Sequence, residues 1–325
     1  MRSAASALLR ELDDEQRAVA ALPFGDEAAR RWLEYRPERR PGACLAQFSV
    51  PGRKAAHKLL ATGLSDPAFA QAMAIIALEE VLDRRERERL HRHIGDYWVT
   101  VFGDPAADEP WAWRFEGHHI SVSMTVLGDE VSPAPVFLGA NPARISHRGR
   151  TVSRPLGPEE DLARELLGAM GPAERAVAVV ADAAPSDIHS ALRPRAEGIE
   201  PLGVAAGALR PVARALLDDL VALYLERLPA ELASREARRA GDLHFAWEGP
   251  VAGATLDAAD SRHYYRIQGD DLLIEYDTTD DGNHAHTVLR RPHSDFGDDI
   301  LAAHYRAIDH GAIDHGAIDH GVAGG

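Results

Sequence analysis

Trp111-Ala112-Trp113-Arg114-Phe115-Glu116-Gly117-His118-His119-Ile120-Ser121 decides the class of fold. Aromatic and β-branched residues dominate this stretch and its continuation. Strand character therefore runs from Ala112 to Leu127, Gly128-Asp129 turns the chain, and Glu130 to Leu138 brings it back. The same character returns far downstream. His244 to Gly249 reads as one strand, and Tyr264 to Gln268 with Leu272 to Tyr276 as a hairpin about Gly269-Asp270-Asp271. His284 to Leu289 is the strand that follows.

Each strand group comes after helices. Helical spacing marks residues 4–21, 53–63, 66–91, 158–170, 172–182, 207 to about 228 and roughly 297–306. Two stretches, 27–51 and 183–206, are broken by prolines and read as irregular. Helices then strands, twice over and without βαβ alternation, define an α+β class. The expected architecture is helices packed around a mainly antiparallel sheet formed by two separated strand groups. The expected organisation is a single domain over 1–306, alternatively two similar-sized lobes, 1–155 and 156–306, followed by a flexible tail over 307–325. That tail repeats Ala-Ile-Asp-His-Gly from Ala307, Ala312 and Ala317, and short units with a glycine in each cannot build a core.

With 325 residues and 45% hydrophobic content, the chain is long enough for a sizeable core. A net charge of -15 and a pI near 5.5 disfavour a nucleic-acid backbone or an anionic membrane as main partner, because like charges repel. The single cysteine, Cys44, excludes an internal disulfide and a multi-cysteine zinc site, and reads as a filler of small buried space. Met1 to Leu22 carries charge throughout and is neither a secretory signal nor a membrane span, so a cytoplasmic location is expected. There is no Gly-x-Gly-x-x-Gly after a strand, no phosphate-loop lysine motif and no Gly-x-Ser-x-Gly elbow. Nucleotide-dependent and serine-hydrolase chemistry are weakened accordingly.

Histidines in strands are the one concentration of chemistry. Residues i and i+2 of a strand share a face, so His284 and His286 project together. By the same rule Glu116 and His118 share a face, whereas His119 lies with Ser121, Ser123 and Thr125. If the two runs lie side by side, His118, His284 and His286 supply three neutral nitrogens and Glu116 a carboxylate, a set suited to Fe, Cu, Mn, Ni or Zn. His119 is the competing orientation. Arg290 continues the His284/His286 face, placed either to hold a substrate carboxylate or to pair with Asp295. Trp111, Trp113, Trp247, Tyr264 and Tyr265 read as strand and core aromatics.

Several segments resemble the DUF3500 family, a domain of unknown function. They are Trp111 to Ser121, Phe137-Leu138-Gly139-Ala140-Asn141-Pro142, Phe245-Ala246-Trp247-Glu248-Gly249, Tyr265-Arg266-Ile267, Ile274-Glu275-Tyr276, Asn283 to His286 with Arg290, Asp295, Phe296 and Gly297, and His304-Tyr305. The family name carries no activity. From the residues, the leading expectation is a metal-dependent oxidoreductase or oxygenase acting on a small organic substrate, with His118, His284 and His286 as ligands. Glu116 is then a fourth ligand or base, His119 a further catalytic candidate and Arg290 a substrate anchor. A metal-free hydrolase or lyase with a histidine base is the alternative, and a non-enzymatic small-molecule binding protein the third reading.

Overall fold

The computed structural model describes residues 1–86, 92–251, 262–279, 282–302, 304 and 306. The repeated tail, and part of the helix expected over 297–306, lie outside these residues. The first half of the chain holds helices α1 (Arg2–Glu11) and α2 (Asp14–Ala20), strand β1 (Ala21–Leu22), helix α3 (Glu27–Arg30), strand β2 (Ala43–Cys44) and helices α4 (Val50–Gly63) and α5 (Asp66–Glu86). Strands β3 (Tyr97–Phe102), β4 (Trp111–Gly117), β5 (Ile120–Leu127), β6 (Glu130–Ser132) and β7 (Val136–Ala140) follow. A small hairpin, β8 (Ile145–His147) and β9 (Arg150–Ser153), leads into the second half. There the order is α6 (Gly157–Ala169), α7 (Pro172–Ala178), β10 (Val179–Ala181), β11 (Val204–Ala205), α8 (Pro211–Leu225), α9 (Ala230–Arg239), β12 (His244–Glu248), β13 (Tyr264–Gly269), β14 (Leu272–Thr279) and β15 (His284–Arg290).

Local chemistry sets the helix starts. Asp13 caps α2 by accepting from the Gln16 amide at 2.8 Å while the Gln16 side chain accepts from the Asp13 amide. Ser49 caps α4, where Pro51 occupies the first turn that has no use for its missing N–H. The helix expected from 4 to 21 breaks at Leu12 because this second cap restarts the chain in a new direction.

α+β is the class, but the strands do not form separated groups. Among the described residues 13 strands build one mixed sheet, running β1-β3-β4-β5-β7-β15-β14-β13-β12-β10, with β2, β6 and β11 attached at β3, β5 and β12. Parallel pairs stand at its margins, β1 on β3 and β10 on β12. The join between the two groups is the antiparallel ladder of β7 and β15, from Ala285 opposite Ala140 to Leu289 opposite Val136.

The two halves repeat one another around that join. Gly117 faces Ile120 across the two-residue turn His118-His119, and Gly269 faces Leu272 across Asp270-Asp271. Arg114 faces Ser123 in the first hairpin, and Arg266 faces Glu275 in the second. Gly103 donates to the Leu22 carbonyl at 2.8 Å, as Gly249 does to Ala181 at 3.0 Å. Continuing this register makes Val136 and Leu289 equivalent, and those two residues pair with each other. A pseudo-two-fold axis therefore passes through the middle of the sheet.

Pleating divides the sheet into two unlike faces. One is apolar: Trp113, Phe115, Val122, Met124, Leu138, Tyr265, Ile274 and Leu289 join Leu59, Leu60, Ile75, Leu217 and Leu220 of the helices in one core. The other is charged yet equally buried, with Arg114, Glu116, Arg266, Glu275, Asp277 and Arg290 all at most 1% exposed. It is covered by the two irregular arms, 23–42 and 182–203, whose backbone cannot satisfy its own carbonyls. Side chains of the sheet do so instead. Arg114 donates to Ala29 O at 2.8 Å, Arg290 to Arg193 O at 2.7 Å, and Gln268 exchanges two bonds with Ile199. No helix among the described residues is long and apolar enough to cross a membrane.

Candidate metal centre

Strand does not continue through residue 118, contrary to the reading of 112–127 as one strand. The chain reverses at His118-His119, and His119 takes φ 63°, a left-handed conformation that a histidine adopts at a cost. Neighbours hold it there. The His119 amide donates to Tyr35 O at 3.0 Å, and its carbonyl accepts from the Gly139 amide at 2.8 Å. Gly139 also leaves room for the ring, since a Cβ at that position would meet His119 Cδ2 at 2.7 Å.

Reversal sends the two imidazoles to different partners. Nδ1 of His118 lies 2.6 Å from Glu79 Oε1 on α5, with the Arg92 guanidinium 3.4 Å away. Nε2 of His119 lies 2.8 Å from Nε2 of His284. His286 stands two residues along β15, its ring centroid 4.5 Å from that of His284 and 5.5 Å from that of His119. One ligand atom from each of His119, His284 and His286 falls within 4.8 Å of the others.

Carboxylates back these rings. Across the β14–β15 ladder His286 is opposite Asp277, and its Nδ1 is 3.2 Å from Asp277 Oδ1 and 3.2 Å from Asp187 Oδ1 of the second arm. The Tyr35 hydroxyl of the first arm donates to Asp187 Oδ2 at 2.8 Å, and the Tyr35 ring stacks on Phe137 at 4.1 Å. Behind His119, Nδ1 lies 3.8 Å from Glu79 Oε1. His119 and His286 are buried while His284 is half-buried, and the Asp187 side chain is 39% exposed, so the cluster meets solvent at these last two residues. A surface cleft of about 810 Å³ beside Asp13, Arg39, Cys44, Asp96 and Trp98 shares no residue with it.

Burial holds the His118 and His119 rings well below the ordinary histidine range, aided by neighbouring charge, and pushes the Glu79 carboxyl up. His286 goes the other way. Burial opposes its charge, yet Asp277 and Asp187 outweigh burial and raise the ring to about 10. The two carboxyls divide in turn: Asp187 is lowered against its burial by His286 and Tyr35, whereas burial raises Asp277 despite His286. One imidazolium does not sustain the fully buried Asp277 and the partly exposed Asp187 equally.

The structure places the sequence candidates unevenly. His284 and His286 come together as expected, but the third histidine of their group is His119, not His118, because the turn rotates His118 toward α5. Glu116 joins no group of potential ligands among the described residues: its Oε1 accepts from Arg114 Nε at 2.7 Å, and Arg40 lies 3.9 Å from Oε2. Arg290, placed by its strand either to anchor a substrate or to pair with Asp295, does pair with Asp295 at 2.7 Å, is fully buried and fastens the second arm through Arg193 O. The five aromatics Trp111, Trp113, Trp247, Tyr264 and Tyr265 are core residues, and Cys44 is only half-buried.

Sequence reading missed Glu79, Asp187, Asp277 and Tyr35. Glu79 interrupts a buried stripe of Ile75, Ile76, Leu78 and Leu82, and Asp277 extends a strand that already carries Glu275 on the same face; both are charges where apolar residues belong. Asp187 and Tyr35 sit in irregular arms, where no periodicity marks a residue.

Fold and site define an internally repeated α+β protein with a buried histidine and carboxylate centre at one end of its central strands. The chain belongs to the family described as "Protein of unknown function (DUF3500)", which matches residues 1–298. No curated protein and no solved structure matches it.

Proposed function

We propose that the chain is a metal-dependent enzyme whose ion is held by His119, His284 and His286. The observation that carries this reading is the 2.8 Å approach of two Nε2 atoms, with a third imidazole beside them and carboxylates behind two of the three rings. Ligating histidines characteristically lean on a carboxylate through their other nitrogen, which fixes ring orientation and raises basicity. Three neutral nitrogens leave a divalent ion its charge and an open position, suited to Lewis-acid or dioxygen chemistry on a small organic molecule entering past His284 and Asp187.

We favour the oxidative branch because Tyr35, an oxidisable ring hydrogen-bonded to Asp187, lies 5.2 Å by centroids from His286. The test is metal analysis and dioxygen uptake on untagged full-length protein, alongside His119→Ala and His284→Ala. About one equivalent of Cu, Fe, Mn, Ni or Zn, lost in both variants, is expected of a three-donor site. Metal content that neither substitution changes refutes the centre, and a stoichiometric ion with no oxygen uptake across reductants and candidate substrates refutes the oxidative branch.

A further inference from the structure

The carboxylate side of His286 contains its own donor set. Asp277 is fully buried, and among the described residues neither of its oxygens has a hydrogen-bond donor; Nδ1 of His286 likewise has no partner of acceptable geometry there. The 3.2 Å separations between this nitrogen and the two aspartates are contacts without a directed N–H bond. Orphaned buried carboxylate oxygens are rare in folded proteins, and an ion is one of the few things that resolves them. Asp187 completes the set. Its Oδ2 accepts from Tyr35, its Oδ1 accepts from the Ile188 amide at 2.8 Å and faces His286, and its partial exposure provides both an entry and room for water ligands.

From this geometry we infer a second divalent-cation site formed by Asp187, Asp277 and Nδ1 of His286, beside the three-histidine centre. Two carboxylates and one imidazole suit a first-row transition ion more than calcium, which prefers oxygen alone. With Nδ1 committed to this ion, Nε2 is the nitrogen of His286 left for the ion shared with His119 and His284. His286 then bridges the two as an imidazolate, and both protons of the metal-free imidazolium, one from each ring nitrogen, pass to solvent through the mouth at Asp187. In this bridging the inference rests on the three-histidine reading; the carboxylate site itself does not.

The experiment is copper(II) titration of the full chain after chelator treatment, read by metal analysis and electron paramagnetic resonance. His310→Ala, His315→Ala and His320→Ala form a common background that removes the tail's imidazoles. The parent should bind two equivalents and, when full, show far less resonance intensity than two isolated ions, because an imidazolate couples them. Asp277→Asn and His284→Ala should each bind one equivalent at full intensity. Asp187→Asn, at a partly exposed position, repeats the test if Asp277→Asn does not fold. One equivalent in the parent, unchanged by Asp277→Asn and Asp187→Asn but lost in His284→Ala, overturns the second site and leaves the proposed centre standing. One equivalent lost in the aspartate variants but kept in His284→Ala supports the carboxylate site and overturns the three-histidine centre. Two equivalents at full combined intensity overturn the bridge, and no bound copper overturns both sites.

Discussion

Replacing Gly139 with alanine probes the centre through a residue that carries no donor atom. A Cβ there would stand 2.7 Å from Cδ2 of His119 and 3.1 Å from the carbonyl oxygen of Ala285. Carbons in contact settle at roughly 3.5–4.0 Å, so the imidazole must retreat by about 1 Å. The backbone offers little relief, being tied on one side to Tyr35 O and on the other to Gly139 itself. Ring displacement is the cheapest response, and it moves His119 Nε2 off its position beside His284. Overpacking of this kind costs about 1–3 kcal/mol of stability. The effect on the ion should be larger than the roughly 10–100-fold loss that follows removal of an outer-shell partner, since a ligand itself is moved. Urea denaturation of the metal-free chain and chelator competition measure the two effects separately. Gly25→Ala is the comparison, with nothing within 4 Å of the added carbon, and should change stability by no more than about 0.5 kcal/mol. A Gly139→Ala protein that loses the expected stability yet keeps its metal affinity within about twofold, some 0.4 kcal/mol, shows that His119 is not a ligand.

Tyr35→Phe removes the hydroxyl that orients Asp187 and should cost about 0.5–1.5 kcal/mol in the metal-free chain, with weaker metal binding by chelator competition; unchanged affinity argues against Asp187 supporting the centre. Glu116→Gln should destabilise by about 1–3 kcal/mol, because Arg114 loses a charged acceptor and Arg40 a nearby counter-charge, while metal stoichiometry stays as in the parent. Loss of metal there would restore Glu116 to the site. Because His286 is raised to about 10, its contribution to metal-free stability is fully present below its ordinary value near 6.5 and is lost as pH climbs through about 10. Metal binding must expel that proton, so apparent affinity should rise with pH across the same window; a flat affinity from pH 6.5 to 9 is inconsistent with His286 as a ligand.

How much of this was legible follows from what each signal depends on. Composition of the strand runs 111–127 and 264–276 was enough for an α+β class, because β-branched and aromatic density is local. The reversal at His118-His119 was not legible: no glycine, asparagine or aspartate marks the left-handed residue, and the conformation is imposed by Tyr35 O and Gly139 from elsewhere in the chain. That single missed turn put His118 ahead of His119, the competing orientation, and grouped Glu116 with the histidines although it lies with Arg114 instead. The irregular arms were recognisable from their prolines, but not their task of covering a charged sheet face. Burial of Arg114, Arg266 and Arg290 depends on carbonyls more than 60 residues distant, which no windowed pattern contains.

The internal repeat supplies its own control on the centre. Under the pseudo-two-fold, Thr125 corresponds to Asp277, and the turn Asp270-Asp271 to His118-His119. At that second corner Asp271 is satisfied internally: the His293 amide and the Ser294 hydroxyl donate to it, and the segment at Gly297 closes over Thr125. The same scaffold at the first corner leaves a fully buried aspartate with no directed hydrogen-bond donor among the described residues. The scaffold therefore does not itself call for that carboxylate, and in the absence of an ion its nearby counter-charge is His286, 3.2 Å away. Burial raises the Asp277 carboxyl against the opposing charge of His286, and a buried carboxylate left without that counter-charge, as it is once His286 loses its proton near pH 10, weakens folding. Asp277→Asn, or Asp277→Thr copying the opposite corner, should accordingly raise the urea midpoint of the metal-free chain once the pH exceeds about 10, where His286 no longer supplies a counter-charge, while abolishing the proposed ion at this position. A lower midpoint in both variants would assign Asp277 to the architecture, as the partner that keeps His286 in place, and would remove the reason for placing a cation beside it.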